Sequence, residues 1–240
     1  MTRSSRIGRP SVANALATSR RLLSKAVLGP LRYGQRDGYD IERYWRDRFH
    51  RYGRSLVASG HEGRSEEVNQ DEYAEASATL TDICRSADIN FSSARVLEVG
   101  LGVGFYTRYL AELGVTDYIG VDVTDALFPE FEAEWPNFRF VRADITADAL
   151  NEQCDVALMI DVLQHIVNRD RLTFGLHNVV KSLRQGGRFV VGPVHSVTRR
   201  QLFYVHFWTR EEIIIRLRDY AVLLTAAPFR TGEVLVFERT

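Results

Sequence analysis

The sequence predicts an α/β protein with a doubly wound, seven-stranded sheet whose last strand is antiparallel. Short apolar runs alternate with segments of helical periodicity from about residue 71 to the end of the chain. A glycine-rich loop follows the first of these runs, and only residues 227–233 separate the last two. A parallel crossover needs about a dozen residues, so the last two strands are expected to form a hairpin.

Each element follows from a local pattern. The run at residues 155–160 is nearly all apolar, as a strand buried on both faces should be. Thr209 is predicted to cap the last helix, with Glu212 completing a capping box. Helices are predicted over residues 73–87, from the glycine loop to about 113, 125–134, 171–183 and 211–217. Strands are predicted over residues 95–99, 118–121, 138–142, 155–160, 188–191, 221–226 and 234–238, with a turn at 185–187.

The chain divides into three predicted parts, which are a basic leader (residues 1–38), a helical lid segment (39–70) and the α/β domain (71–240). The 240 residues carry 31 Lys and Arg against 31 Asp and Glu, so the whole chain shows no excess charge for a polyanionic partner. Residues 1–35 of the leader contain seven basic residues and no acidic residue. It resembles a transit peptide or membrane-surface arm, or else a tail that partly folds as a helix around residues 14–27.

Several kinds of site are not expected. Cys84 and Cys154 are the only cysteines and form no C-x-x-C pair, which argues against a disulfide framework and fits a cytoplasmic protein. No acid cluster or histidine pair has the spacing of a metal site. No run approaches the roughly 18 apolar residues that a membrane span requires.

The motif that carries the chemistry is Val96-Leu97-Glu98-Val99-Gly100-Leu101-Gly102-Val103-Gly104-Phe105. A strand delivers a glycine loop that opens a helix, so backbone N–H groups can approach a ligand closely. The dinucleotide fingerprint requires a third small residue where Phe105 stands. The loop is therefore atypical of a dinucleotide site.

This motif resembles the class I S-adenosylmethionine-dependent methyltransferases, in particular the small-molecule branch, over roughly residues 94–240. The resemblance implies a Rossmann-like fold. It also implies that Gly100, Gly102 and Gly104 border the amino-acid end of S-adenosylmethionine, with Glu98 supporting the loop or the cofactor's ammonium group. An acid beside this loop suits a cationic ligand that has no phosphates.

Two further acids follow successive predicted strands. Asp122, with Val123 beside it, stands where a carboxylate can accept hydrogen bonds from both ribose hydroxyls. Asp144 matches the family position that meets the adenine amine, and Ile145 is expected to pack on the ring. Each acid taken alone also suits a turn or a helix cap. Three carboxylates at the ends of three strands favour a cofactor site.

The segment after the fourth strand of the domain contains Asp161 and His165. By resemblance, this segment forms the floor between cofactor and acceptor, with Asp161 near the transferring methyl group. His165 is a candidate general base, or alternatively a structural residue that ties the loop down. His195, beyond the fifth strand, is a second candidate base.

Acceptor specificity is expected from the lid segment and from residues 195–208, both rich in aromatic and arginine residues. Their aromatic residues suit either a lid or the edge of the core. The predicted activity is metal-free methyl transfer to an oxygen of a small polar or sugar-like molecule. The alternatives are a nucleic-acid methyltransferase, a non-methyl transferase on the same fold, and a cofactor-binding protein without turnover. Nucleic-acid motifs are absent, so a nucleic-acid acceptor is not expected.

Overall fold

The computed structural model describes residues 24–240, which form a mixed β-sheet covered on both faces. The predicted helix around residues 14–27 falls mainly outside this range. The helices are α1 (Gly29–Tyr33), α2 (Ile41–Tyr52), α3 (Leu56–Ser59), α4 (Glu66–Ser86), α5 (Phe105–Glu112), α6 (Phe128–Glu134), α7 (Arg169–Ser182) and α8 (Arg210–Leu217). The strands are β1 (Gly34–Gln35), β2 (Gly38–Tyr39), β3 (Arg95–Val99), β4 (Asp117–Asp122), β5 (Arg139–Arg142), β6 (Cys154–Ile160), β7 (Leu183–Val194), β8 (Arg199–Leu202), β9 (Val205–Phe207), β10 (Ala221–Phe229) and β11 (Gly232–Arg239).

The main sheet has seven strands in the order β10-β11-β7-β6-β3-β4-β5. Strand β11 runs antiparallel to both of its neighbours, and every other pair is parallel. The predicted fold, including the antiparallel last strand, is confirmed. Strand β10 points the same way as the parallel strands, so the β10–β11 turn lies at their carboxyl edge.

The sheet separates two apolar cores because side chains alternate between its faces. Val96 of β3 packs into the core beneath α4 and α5, whereas Leu97 and Val99 pack into the core beneath α7 and α8. Both cores contain many fully buried side chains. They fix the relative positions of the strand ends.

Local signals account for most element boundaries. Thr209 caps α8 and Glu212 completes the capping box, as predicted. Helix α4 begins at Glu66 rather than near residue 73, because Ser65 caps it by accepting from the backbone N–H of Val68. The turn predicted at residues 185–187 lies inside β7, where residues 184–187 loop out of the ladder between the Cys154–Leu183 and Val156–Arg188 pairs.

The two predicted lid regions pack against each other over the carboxyl edge. Residues 195–208 contain the hairpin β8–β9. An aromatic cluster joins this hairpin to the N-terminal segment through Tyr39, Tyr44 and Tyr204, all of them buried. The rings of Tyr44 and Tyr204 are 4.6 Å apart between centroids. These aromatic side chains hold the two segments together above the ends of the strands.

Candidate active site

The glycine loop connects β3 to α5 in a conformation that side chains rarely adopt. Gly100, Gly102 and Gly104 have φ values of +77°, +55° and +82°. A Cβ atom on Gly100 would also overlap Cγ2 of Val162, which follows β6. Glycine at position 100 is therefore required both by the backbone and by a neighbouring side chain.

Asp122 ends β4 beside this loop. Its Oδ2 accepts hydrogen bonds from the backbone N–H groups of Leu101 (2.9 Å) and Gly102 (3.4 Å), and its Oδ1 accepts from that of Thr124 (3.1 Å). Burial raises the pKa of the carboxyl to about 6, although the backbone N–H groups oppose this shift. Asp122 is thus oriented by the loop and is largely ionised at neutral pH.

Asp144 follows β5 and is held by its neighbours. Its Oδ1 accepts from the backbone N–H (2.9 Å) and the hydroxyl (2.6 Å) of Thr146, and its Oδ2 forms an ion pair with Arg171 of α7. Ile145 beside it is buried. Arg171 was not predicted from the sequence, since it comes from a helix distant in the chain.

These residues line one cleft of about 830 Å³ at the carboxyl edge of the sheet. Of the predicted cofactor residues, it is lined by Gly100, Gly102, Asp122, Val123, Asp144, Ile145 and Asp161. The lid segment covers it with Ile41, Trp45, Phe49 and Ser59 of α2 and α3, and Tyr73 of α4 completes this cover. Asp122, Asp144 and Asp161 are therefore brought together at this edge, whereas Glu98 is not.

Two predicted cofactor residues do not line this cleft. Gly104 caps α5, and a Cβ atom there would lie 2.8 Å from the ring of Phe131, so it serves packing. The side chain of Glu98 lies on the face of β3 opposite to that of Val99, which lines the cleft. There Oε2 of Glu98 accepts hydrogen bonds from the hydroxyls of Thr107 (2.9 Å) and Tyr118 (2.5 Å). This position corrects the expected contact with an ammonium group and leaves Glu98 the role of supporting the loop.

Burial raises the pKa of Glu98 to about 8, well above the value of roughly 4.3 expected in an unfolded chain. The folded protein therefore holds a proton that the unfolded chain has lost. The resulting stabilisation is complete below about pH 4 and is lost as pH rises through about 8.

We expect Glu98→Gln to remove this loss. From pH 5 to pH 9, the free energy of unfolding of the wild-type protein should fall by on the order of a few kcal/mol more than that of the variant. Urea unfolding at both pH values measures the difference. Glu132→Gln is the control, because Glu132 of α6 is exposed. This variant should show the same free energy of unfolding as the wild-type protein at both pH values. A wild-type difference that Glu98→Gln leaves intact would assign the pH dependence to another group.

A second cleft of about 1030 Å³ adjoins the first. Gln164, His195, Tyr204, Phe207 and Arg230 are among the residues that line it. The two clefts share five lining residues, which are Trp45, Ser59, Tyr73, Asp161 and His165. These side chains therefore border both clefts and form the wall that the two clefts share.

Asp161 lies in this shared wall with its backbone in the left-handed region (φ +60°). Its Oδ2 is 2.9 Å from Nη2 of Arg230 and accepts a 3.4 Å hydrogen bond from the hydroxyl of Tyr106. Burial raises the pKa of Asp161, while Arg230 opposes the shift. Arg230 was not predicted, although the topology signals it, because the β10–β11 turn lies at the carboxyl edge.

His165 is held in one orientation by the lid. Its Nδ1 is 3.0 Å from the carbonyl oxygen of Tyr204, and its own carbonyl accepts from the hydroxyl of Tyr39 at 3.1 Å. A carbonyl can only accept, so Nδ1 carries the proton and Nε2 keeps a free lone pair. Burial lowers the pKa of His165 to about 4, so the ring is neutral at pH 7.

His195 occupies the second cleft only. Its ring stacks on Phe207 with 3.9 Å between centroids, and burial lowers its pKa. Among the described residues, its buried Nε2 has no hydrogen-bond partner, and the same holds for Oε1 of Gln164. Both atoms are available to a ligand in this cleft.

No group of three or more His, Cys, Asp or Glu residues within residues 24–240 is arranged to hold a metal ion. Within the same range, no helix is long and apolar enough to cross a membrane.

Residues 96–187 match the family model of a methyltransferase domain. This segment begins in the strand before the glycine loop and includes the four acidic residues of the predicted site, which are Glu98, Asp122, Asp144 and Asp161. Over this segment the chain is therefore similar to methyltransferases. No curated protein sequence matches the chain.

Solved structures of methyltransferases share the fold of this chain. N-methyltransferase NodS of Bradyrhizobium japonicum WM9, bound to S-adenosylhomocysteine, is 18% identical with a TM-score of 0.62, covering 80% of this chain and 98% of its own. Magnesium protoporphyrin IX methyltransferase (ChlM) of Synechocystis PCC 6803, bound to S-adenosylmethionine, is 16% identical with a TM-score of 0.64, covering 86% and 100%. The 1,6-didemethyltoxoflavin-N1-methyltransferase of Burkholderia thailandensis is 23% identical with a TM-score of 0.57, covering 81% and 90%.

The first cleft fits S-adenosylmethionine, the cofactor that the resemblance implies, chemically. Asp122 offers a carboxylate to a diol, Asp144 offers one to an amine, and Ile145 supplies an apolar surface for a ring. Asp161 supplies negative charge where the second cleft begins. These are the groups that an adenosine joined to a cationic amino acid requires.

Proposed function

We propose that the protein methylates an oxygen atom of a small polar molecule held in the second cleft, by direct in-line displacement. The observation that supports this function most strongly is the wall that the two clefts share at Asp161 and His165. Bound S-adenosylmethionine supplies an activated methyl group, and the reaction leaves S-adenosylhomocysteine. The cofactor-binding residues are proposed to be Gly100, Gly102, Asp122, Val123, Asp144, Ile145 and Asp161, with Glu98 and Gly104 supporting the loop.

The cover of the second cleft supports a small acceptor, because small-molecule sites are concave and are enclosed by protein on several sides. Residues of α4, the loop after α3 and the β8–β9 hairpin surround it. A nucleic-acid strand needs a longer open groove lined with basic residues, so we expect no nucleic-acid acceptor.

His165 is the proposed general base. A hydroxyl must lose its proton as its oxygen forms the bond to carbon, and the Nε2 lone pair of a neutral His165 can accept that proton. Tyr204 holds the ring in the required tautomer. His195, with its unpartnered Nε2, is the second candidate base or an acceptor-orienting group.

Nitrogen is the second candidate acceptor atom, because NodS and the toxoflavin enzyme are named as N-methyltransferases. A neutral amine attacks with its own lone pair and can release its proton afterwards. It therefore depends much less on a base than a hydroxyl does.

The test is a screen of paired hydroxyl and amine compounds, together with an RNA pool, monitored by S-adenosylhomocysteine formation. For a hydroxyl acceptor, we expect His165→Gln to lower kcat by roughly 100-fold or more. His177→Gln is the matched control, because His177 is also tied to a backbone carbonyl (Arg216, 2.7 Å) but lines neither cleft. If an amine is the acceptor that turns over and His165→Gln lowers its kcat by less than about tenfold, the methylated atom is nitrogen instead. Turnover of the RNA pool alone would overturn the small-molecule proposal.

A further inference from the structure

Arg230 reaches the shared wall from the β10–β11 turn, where its own backbone has φ +51°. Its side chain is 17% exposed. Nη2 is 2.9 Å from Oδ2 of Asp161 and donates to the hydroxyl of Tyr106 at 3.2 Å. The guanidinium group also lies 4.4 Å from the centroid of the Tyr73 ring. These contacts place a cation, most of whose side chain is covered, beside the proposed position of methyl transfer.

The rest of the Arg230 guanidinium faces the second cleft. Arg230 lines this cleft and not the first. Within residues 24–240, its Nε and Nη1 make no hydrogen bond, and neither atom is fully buried. Arg48, the other arginine of this cleft, differs because its nitrogens already donate to three backbone carbonyls and to Tyr44.

The acidic residues of the second cleft have cationic partners of their own. Glu62 lies 3.8 Å from Arg48, and Glu72 forms an ion pair with Arg64. Asp161 is the carboxylate that Arg230 neutralises, and it also borders the cofactor cleft. Asp161 therefore couples the charge of Arg230 in the second cleft to the charge of a ligand in the cofactor cleft.

We propose that Arg230 is an anion subsite of the second cleft, which binds a carboxylate or similar anionic group of the acceptor when the cofactor carries its methyl group. This inference rests on the proposed function. With a sulfonium at the shared wall, Asp161 faces a second cation and holds Arg230 less strongly, so the guanidinium can turn to an acceptor anion. With the neutral thioether of the product, Arg230 returns to Asp161, which favours release of the methylated molecule.

The first test compares the affinities of S-adenosylmethionine and S-adenosylhomocysteine by calorimetry, with no acceptor present. The two ligands differ at sulfur by one charge and one methyl group. Arg230→Met leaves Asp161 unpaired, so the preference for the sulfonium should rise roughly tenfold relative to wild type. Asp161→Asn leaves Arg230 unpaired, so the preference should fall by a similar factor. Arg230→Lys keeps the charge and should stay close to wild type.

Arg184→Met is the matched control, because Arg184 forms an ion pair with Asp155 at the amino edge of the sheet. It should leave the preference unchanged. If Arg230→Met weakens both ligands equally, Arg230 holds the carboxylate of their common amino-acid part and the inference is wrong. Unchanged affinities for both ligands would also overturn it. Failure of the wild-type protein to bind either ligand would instead overturn the proposed function.

The second test uses benzoate as the probe for the subsite, since aromatic side chains line the cleft. Benzoate should bind at least severalfold more tightly to the S-adenosylmethionine complex than to the S-adenosylhomocysteine complex. Arg230→Met should abolish this binding, and Arg230→Lys should weaken it, because lysine lacks the two-pronged donor geometry. Equal benzoate binding to both complexes, or no binding to either, would contradict the proposed subsite.

Discussion

Asp122→Asn is expected to weaken S-adenosylmethionine binding by about 100-fold. The carboxylate of Asp122 can accept from two hydroxyls of the cofactor, and hydrogen bonds to a charged group contribute roughly 1.5–3 kcal/mol each. Asparagine keeps one oxygen for the backbone N–H groups of Leu101 and Gly102, which should hold the glycine loop in place. Its amide nitrogen replaces the oxygen that accepts from the N–H of Thr124, so loss of that hydrogen bond is part of the expected effect. Calorimetric titration of the variant measures the loss directly.

Asp117→Asn is the control for this experiment, because Asp117 lies at the other end of the same strand and is exposed. It should bind the cofactor as wild type does. The pKa of Asp122, raised to about 6, adds a second signature. Cofactor affinity of the wild-type protein should fall as pH drops through about 6, and Asp122→Asn should not show this fall. Wild-type affinity in Asp122→Asn would remove Asp122 from the cofactor site.

Gly100→Ala is expected to lower the free energy of unfolding by about 2–5 kcal/mol. An L residue in the left-handed region costs roughly 1–2 kcal/mol, and the overlap with Val162 adds an overpacking cost of about 1–3 kcal/mol. Chemical denaturation of the purified variant measures the sum. Cofactor affinity should fall as well, because the displaced backbone borders the first cleft.

Gly186→Ala separates the two contributions. Gly186 has nearly the same φ (+76°), but a Cβ atom there would meet nothing within 4 Å. Its variant should therefore show only the backbone cost. Adding Val162→Ala to Gly100→Ala should remove part of the overlap. Equal destabilisation by Gly100→Ala and Gly186→Ala would mean that Val162 does not constrain the loop.

The predicted positions agree with the structure wherever local chemistry and chain topology act together. Thr209 and Glu212 form their capping box from neighbouring residues alone. The hairpin of β10 and β11 follows from a connection too short for a crossover. Gly100, Asp122, Asp144 and Asp161 meet because the carboxyl ends of parallel strands share one edge. These features required no knowledge of distant contacts.

The direction of the Glu98 side chain was partly predictable. Alternation along β3 places Glu98 on the same face as Val96, beneath α5, and away from Leu97 and Val99. Its partners Thr107 and Tyr118 come from α5 and β4. Resemblance to a family motif assigned a role to the acid, whereas strand geometry decided where its carboxylate points.

Local sequence patterns were sufficient to predict the class of fold, the seven strands of the main sheet and the edge of the sheet that carries the site. Periodicity, glycine spacing and loop length are properties of neighbouring residues, and they do not depend on distant contacts. The pairing of Arg230 with Asp161, the tautomer that Tyr204 imposes on His165 and the wall shared by two clefts became visible only in the folded domain. These contacts join side chains far apart in the chain, so their partners are selected by the packing of the whole domain.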